Sequence, residues 1–104
     1  MATLCGSLGT PSANQAALDV AAAWLLGDGH VVVGIDHFAS VPTFQPQLDD
    51  DAGDVVNAIR RTFESVDGVL IAVPEYAGGI AGGVKNALDW MVGSASCTTV
   101  PFRF

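Results

Sequence analysis

Short apolar runs alternate along this chain with longer stretches whose apolar positions recur every three or four residues. That alternation is the sequence form of successive β-α-β units around a parallel sheet buried on both faces. Thr3 to Gly6, the β-branched Val31 to Ile35, and Val69 to Val73 read as three strands, each closed by turn residues. Between the first two, Leu18, Ala21, Ala22 and Leu25 recur at helical spacing, and Gly27 is placed to end the helix in a left-handed conformation. Ser12 to Gln15 reads S-x-x-Q, a capping box in which the two side chains satisfy orphan N–H groups reciprocally. Val55, Val56, Ile59 and Phe63 form the stripe of a second crossover helix, with Asp54 favourably near its N-terminus. A third helix is expected from Gly82 to Val92, with Val84, Leu88 and Met91 on one face, Ala87 and Trp90 beside them, and Gly93 as its stop. Ala39 to Asp51, with Pro42, Pro46 and a run of aspartates, reads as an irregular surface loop.

The pattern predicts an α/β class, a parallel sheet with helices on both faces. Composition limits it further: 104 residues, half of them hydrophobic, allow one core and hence a single domain over 1–104. A net charge of −7 with only four Lys and Arg argues against nucleic acid and anionic membrane as partners. A small anionic ligand stays open, because backbone N–H groups and a helix N-terminus are locally positive whatever the overall balance. No leader opens the chain and no apolar run approaches the ~20 residues of a membrane span, so the expected location is cytoplasmic. Cys5 and Cys97 read as free thiols. His30 and His37 read as strand-edge residues, without neighbours at metal-ligand spacing, and no metal site is expected. After Gly93 the tail is too short and Pro-interrupted to supply another strand-helix unit. The last strands are then missing; the third strand's outer edge lies open unless the tail or another chain pairs with it, and the apolar faces of the third strand and helix are expected to be exposed.

Two loops carry the candidate chemistry, both at the C-terminal ends of strands, where open α/β sheets bind ligands. The first, Gly6 to Asn14, combines Gly6 and Gly9 with hydroxyl residues and leads into a helix N-terminus suited to phosphate. It is neither a Walker loop nor the dinucleotide fingerprint. Ser7 and Asn14 are its best phosphate contacts, whereas Ser12 is explained equally well as a helix N-cap. The second loop, Pro74 to Gly83, places Pro74, Glu75, Tyr76, Ala77 and Gly78 at the strand end, with Gly79, Gly82 and Gly83 close behind. Backbone so rich in glycine beside an aromatic ring suits a flat ring system, although Glu75 also reads as a solvated turn carboxylate and Tyr76 as a rim residue.

These residues resemble the NAD(P)H-dependent FMN reductases, a branch of the flavodoxin-like fold, a three-layer sandwich. The family's Gly-Ser-x-Arg-x-x-Ser-x-Asn phosphate loop is matched by Gly6, Ser7, Ser12 and Asn14. Its Pro-Glu-Tyr-Asn and Pro-Gly-x-Leu-Lys-Asn-Ala-x-Asp-Trp segments are matched by Pro74, Glu75, Tyr76, Gly82, Lys85, Asn86, Ala87, Asp89 and Trp90. Val41 to Phe44 is similar to its Leu-Pro-x-Phe/Tyr segment. The resemblance implies FMN phosphate in the first loop, at Ser7, Gly9, Ser12 and Asn14, and the flavin ring against Pro74, Glu75, Tyr76, Ala77 and Gly78. It implies hydride transfer from NAD(P)H through FMN to a small-molecule electron acceptor, with no catalytic acid or base, in a homo-oligomer of dimer type. Lys85 and Asp89, near the family's dimer interface, are also an i,i+4 surface pair.

The departures from the pattern are specific. Gly9 stands where the family has Arg, and losing a charged hydrogen bond is worth ~1.5–3 kcal/mol, or roughly ten- to a hundredfold in affinity. Ala77 replaces the usual Asn and Ala81 the usual Pro. The match fades after Gly93, and Cys97 to Phe104 reads as replacing the family's continuation, as a shortened or frameshifted reading frame would. The alternative expectation is therefore a non-catalytic fragment with weak or no FMN binding.

Overall fold

A computed structural model describes residues 1–7, 12–35 and 38–93 and the backbone of 102–103. Four parallel strands, β1 (Ala2–Cys5), β2 (Val33–Gly34), β3 (Val69–Ala72) and β6 (Phe102–Arg103), form one sheet in the order β2-β1-β3-β6. β1 and β3 are in full register, Ala2 opposite Val69 through Cys5 opposite Ala72. Only Val33 and Gly34 of the expected second strand are regular, but backbone bonds from Val33 to Met1 and from Ile35 to Thr3 run along its whole inner edge. A two-stranded hairpin, β4 (Glu75–Tyr76) and β5 (Gly79–Ile80), follows β3.

Helix α1 (Ala13–Gly27) packs on β1 and β3, while α2 (Asp54–Ser65) and α3 (Gly82–Gly93) pack on each other across the opposite face. The sidedness follows from handedness. Right-handed crossovers from β1 to β2 and from β2 to β3 run in opposite directions across the sheet, so their helices fall on opposite faces. Ala2, Leu4, Val69 and Ile71 point from the strands into a core with Val56, Ile59 and Phe63 of α2 and Val84, Trp90 and Met91 of α3. The alternate strand residues Thr3, Cys5, Leu70 and Ala72 face the α1 side and are only half-buried, because one helix alone covers them.

Several expectations are corrected in detail. The left-handed stop of α1 is Gly29, at φ 87°, and Gly27 is the last helical residue. The capping box forms on one side: Ser12 Oγ accepts from the Gln15 N–H at 3.2 Å, whereas the Gln15 amide turns outward to Asp19 Oδ1 at 2.8 Å. The aspartate-rich stretch is not wholly irregular, since it contains short 3-10 turns at Phe38–Ser40 and Pro46–Asp51, and Phe38 is buried. Of the two ways to close the outer edge of β3, the tail supplies one, since Phe102 pairs with Val69 and Arg103 with Leu70. The core face of α3 is not exposed either, since Val84, Ala87, Trp90 and Met91 are buried, while Val92 of α3 and Val20 and Trp24 of α1 are exposed. His30 sits exposed beside Asp28, and His37 and Cys97 lie outside the described residues.

Candidate functional site

The in-register pairing of β1 with β3 ends both strands at the same level, so the loops that leave them start side by side at the C-terminal edge of the sheet. Gly6 N donates to Ala72 O at 2.7 Å and ties the root of the first loop to the root of the second. Gly6 is also packed where no side chain fits, since a Cβ there would lie 2.6 Å from Val84 Cγ2 and 3.0 Å from Val73 Cβ. This is the point at which the strand order turns from β2 on one side to β3 on the other, the crevice where doubly wound sheets bind ligands.

From the first loop, Ser7 is half-buried at the strand end, Ser12 caps α1 with extended backbone, and Asn14 is half-buried in the first helical turn. Gly9 lies outside the described residues. The first turn of α1 carries no acidic side chain, so the positive end of a 15-residue helix is not neutralised by its own sequence. By contrast α2 has Asp54 in its first turn. The free thiol of Cys5 touches both walls of the loop, 3.7 Å from Ser7 O and 3.8 Å from Ser12 Oγ. With no Lys or Arg in this loop's sequence, a phosphate there would have hydroxyls and backbone N–H groups to meet it.

The second loop is more ordered than its composition suggests. Glu75 pairs with Ile80 and Tyr76 with Gly79, and the chain reverses through Ala77 at φ 52° and Gly78 at φ 77°. Positive φ at both central positions is the signature of the tight turn that matches strand twist. Val73, Pro74, Glu75, Gly78, Gly79 and Ile80 line an open depression of about 260 Å³. Pro74 is half-buried, Glu75, Ala77 and Gly78 are exposed, and Tyr76 is 62% exposed. A flat ring laid here gains one apolar wall and hairpin backbone groups, but it is not enclosed.

The helix motif after the hairpin serves the scaffold. Asn86 Oδ1 accepts from Phe44 N at 2.7 Å and its amide donates to Pro42 O at 2.8 Å, while Trp90 Nε1 donates to the same carbonyl at 2.8 Å. Phe44 meets the Trp90 ring edge-on at 4.9 Å. Asn86 and Trp90 thus clamp the Val41 to Phe44 segment onto α3. Lys85 and Asp89 form an exposed i,i+4 pair at 2.5 Å. The sequence reading missed Arg60, whose guanidinium donates to Trp90 O, Asp49 O and Asp49 Oδ1. An Arg among apolar positions of α2 was the available signal, although its partner is 30 residues away in sequence. Among the described residues no three His, Cys, Asp or Glu side chains gather to hold a metal, and no helix is long and apolar enough to cross a membrane.

Comparison with known proteins agrees with this fold. The family model described as NADPH-dependent FMN reductase matches residues 1–100, and the chain belongs to that family. An NAD(P)H:quinone oxidoreductase of Solanum tuberosum is 35% identical over 94 residues, covering 86% of this chain and 48% of the relative. A quinone reductase of Escherichia coli K12 is 32% identical over 62 residues, 58% of this chain and 33% of that protein. Among solved structures, FerB, a flavoenzyme NAD(P)H:(acceptor) oxidoreductase from Paracoccus denitrificans, superposes with a TM-score of 0.75 at 30% identity, covering 86% of this chain and 48% of FerB. The chain spans half or less of the length of each of these relatives, and the fold is flavodoxin-like over that span.

Proposed function

We propose that this chain binds FMN across the two adjacent loops and takes part in NAD(P)H-dependent reduction of a small quinone-type acceptor. The observation that carries the reading is the register of β1 against β3. It brings a phosphate-compatible loop, in front of a helix N-terminus free of first-turn acid, beside a hairpin bearing Tyr76. Ser7, Ser12 and Asn14 would hold the phosphate together with backbone of the Gly9 segment. Pro74, Glu75, Tyr76, Ala77 and Gly78 would form one wall for the ring, with hairpin N–H and C=O groups reading its polar edge. When bound, FMN supplies the redox chemistry between NAD(P)H and the acceptor. The protein's part is to fix the phosphate, orient the ring and limit water on one side of it. Quinone is favoured as acceptor because the Solanum tuberosum and Escherichia coli relatives are named for quinone reduction.

The test is a titration of FMN with the full chain, following quenching of flavin fluorescence, then NADPH oxidation with 1,4-benzoquinone. Saturable quenching, weakened in Tyr76→Ala, and a protein-dependent rate are expected. A folded sample that leaves FMN fluorescence unchanged overturns the reading in favour of a non-catalytic fragment, for which the half-length match to the relatives speaks.

A further inference from the structure

The sheet ends on β2, and that edge is not blunted. The Val31 carbonyl accepts from the Met1 amino group at 3.0 Å, and the Val33 and Ile35 N–H groups donate to Met1 O at 3.0 Å and Thr3 O at 2.7 Å. Alternate residues of a strand direct their backbone groups to opposite sides, so Val32 and Gly34 turn theirs outward, where no strand of the described chain lies. Edges of this kind are normally protected by charge or Pro, and the run Val31-Val32-Val33-Gly34 has neither. Val31 is 75% and Val33 42% exposed, and by alternation both side chains share the α2 side of the sheet with buried Ile35. Beside them Gly34, Ile35, Val55, Ala58, Ile59 and Thr62 line a mostly apolar groove of about 350 Å³ between the strand edge and α2.

We propose that this edge joins two copies of the chain, paired antiparallel through β2 about a two-fold axis at Val33. In that register Val32 of each copy stands opposite the partner's Gly34, so the outward backbone groups of both residues are used. Val33 meets the partner's Val33, and Val31 stands opposite the partner's Ile35. Each exposed Val31 side chain is thereby delivered to the groove of the other copy, a knob and a hole carried by the same chain. Charge also selects a second copy over an unrelated strand. As a crossover helix α2 runs antiparallel to β2, so the same axis lays the two α2 helices side by side in opposite directions. Asp54, at the N-terminal end of one helix and on the rim of the groove, is carried toward Arg61 near the C-terminal end of the other. Both are exposed, and two helical turns apart they share one face. No residue of α3, where the resemblance places the family's dimer contact, lines this groove.

Sedimentation velocity of the full chain over a concentration series should show a reversible monomer–dimer equilibrium. Amide exchange followed residue by residue in NMR should slow at Val32 and Gly34 as the dimer forms. Val31→Asp, which sends a carboxylate into the partner's apolar groove beside Asp54, should weaken dimerisation at least about tenfold. Val31 is exposed in the single chain, so thermal unfolding of the dilute variant should match that of the unaltered protein. Asp54→Lys and Arg61→Glu should each weaken the dimer and together restore it, a pattern that damage to the fold does not produce. A dimer indifferent to Val31→Asp, a dimer that leaves the Val32 and Gly34 amides unprotected, or a folded double variant that stays monomeric overturns the proposal. So does a chain that is monomeric at every concentration, which would leave the edge to an extended segment of another protein.

Discussion

Ala77 holds a side chain at φ 52° in the two-residue turn of the β4-β5 hairpin, a conformation that costs a non-glycine residue roughly 1–2 kcal/mol. Asparagine tolerates that region because its short amide bonds locally, and Asn-Gly is the preferred pair for such turns. Ala77→Asn should therefore raise stability by about 0.5–1 kcal/mol and Tm by a few degrees in a thermal melt followed by circular dichroism. Gly6 lies at the other extreme of the same crevice. A Cβ there meets Val84 Cγ2 at 2.6 Å, and buried, β-branched Val84 has no free rotamer to retreat into. Gly6→Ala should cost about 1–3 kcal/mol through overpacking, seen as a lower denaturant midpoint. Both residues were recognisable in the sequence as loop positions. The reason each matters was not, because it depends on a φ angle in one case and on a helix 78 residues away in the other.

At the scale of elements, α3 is held by its contacts to other segments more than by its own helical propensity. Arg60 reaches from α2 to the Trp90 carbonyl in the last turns of α3 and to Asp49 in the 3-10 turn, joining three elements through one guanidinium. Its side chain is 11% exposed and that of Asp49 26%, so Arg60→Ala leaves a poorly solvated carboxylate and loose carbonyls. A loss of about 1.5–3 kcal/mol, the scale of charged hydrogen bonds, is expected in chemical denaturation. The N-terminus of α1 is proposed to have a different task. If its uncompensated dipole and the Ser12 hydroxyl hold phosphate, riboflavin should bind at least about tenfold more weakly than FMN in the same quenching titration. Equal affinity for the two flavins would remove the phosphate role from this loop.

The whole molecule is a sheet with one finished face. Beneath α2 and α3 the core is closed around Trp90, Phe63, Met91, Val56 and Val84, all essentially fully buried. Above it α1 buries Leu18 alone among its residues. Hydrogen exchange should accordingly be faster along α1 than along α2 and α3, since local opening costs less where less apolar surface is released. Uniform protection of the three helices would show that α1 is covered in solution. The two loops belong to the edge between these faces, and the first of them ends at the N-cap of α1.

Periodicity and turn residues alone determined the three helices, the three core strands and the places of both loops, because apolar spacing and strand length are local consequences of burial. Family motifs added the expectation that Ser7, Ser12, Asn14 and the Pro74 to Gly78 segment hold a ligand. Tertiary structure decided the rest. Asn86 and Trp90 became clamps for Val41 to Phe44, Arg60 found a carbonyl from another helix, and Phe102 and Arg103 joined the edge of β3. The capping box opened on the Gln15 side because Asp19, one turn along, is a solvent-side partner for the amide. These outcomes depend on which segments meet across the sheet, and a hydrogen bond between residues thirty or forty positions apart leaves no period in the sequence. The pattern showed that α1 was apolar, but only the folded chain showed that Leu18 is buried while Val20 and Trp24 are exposed.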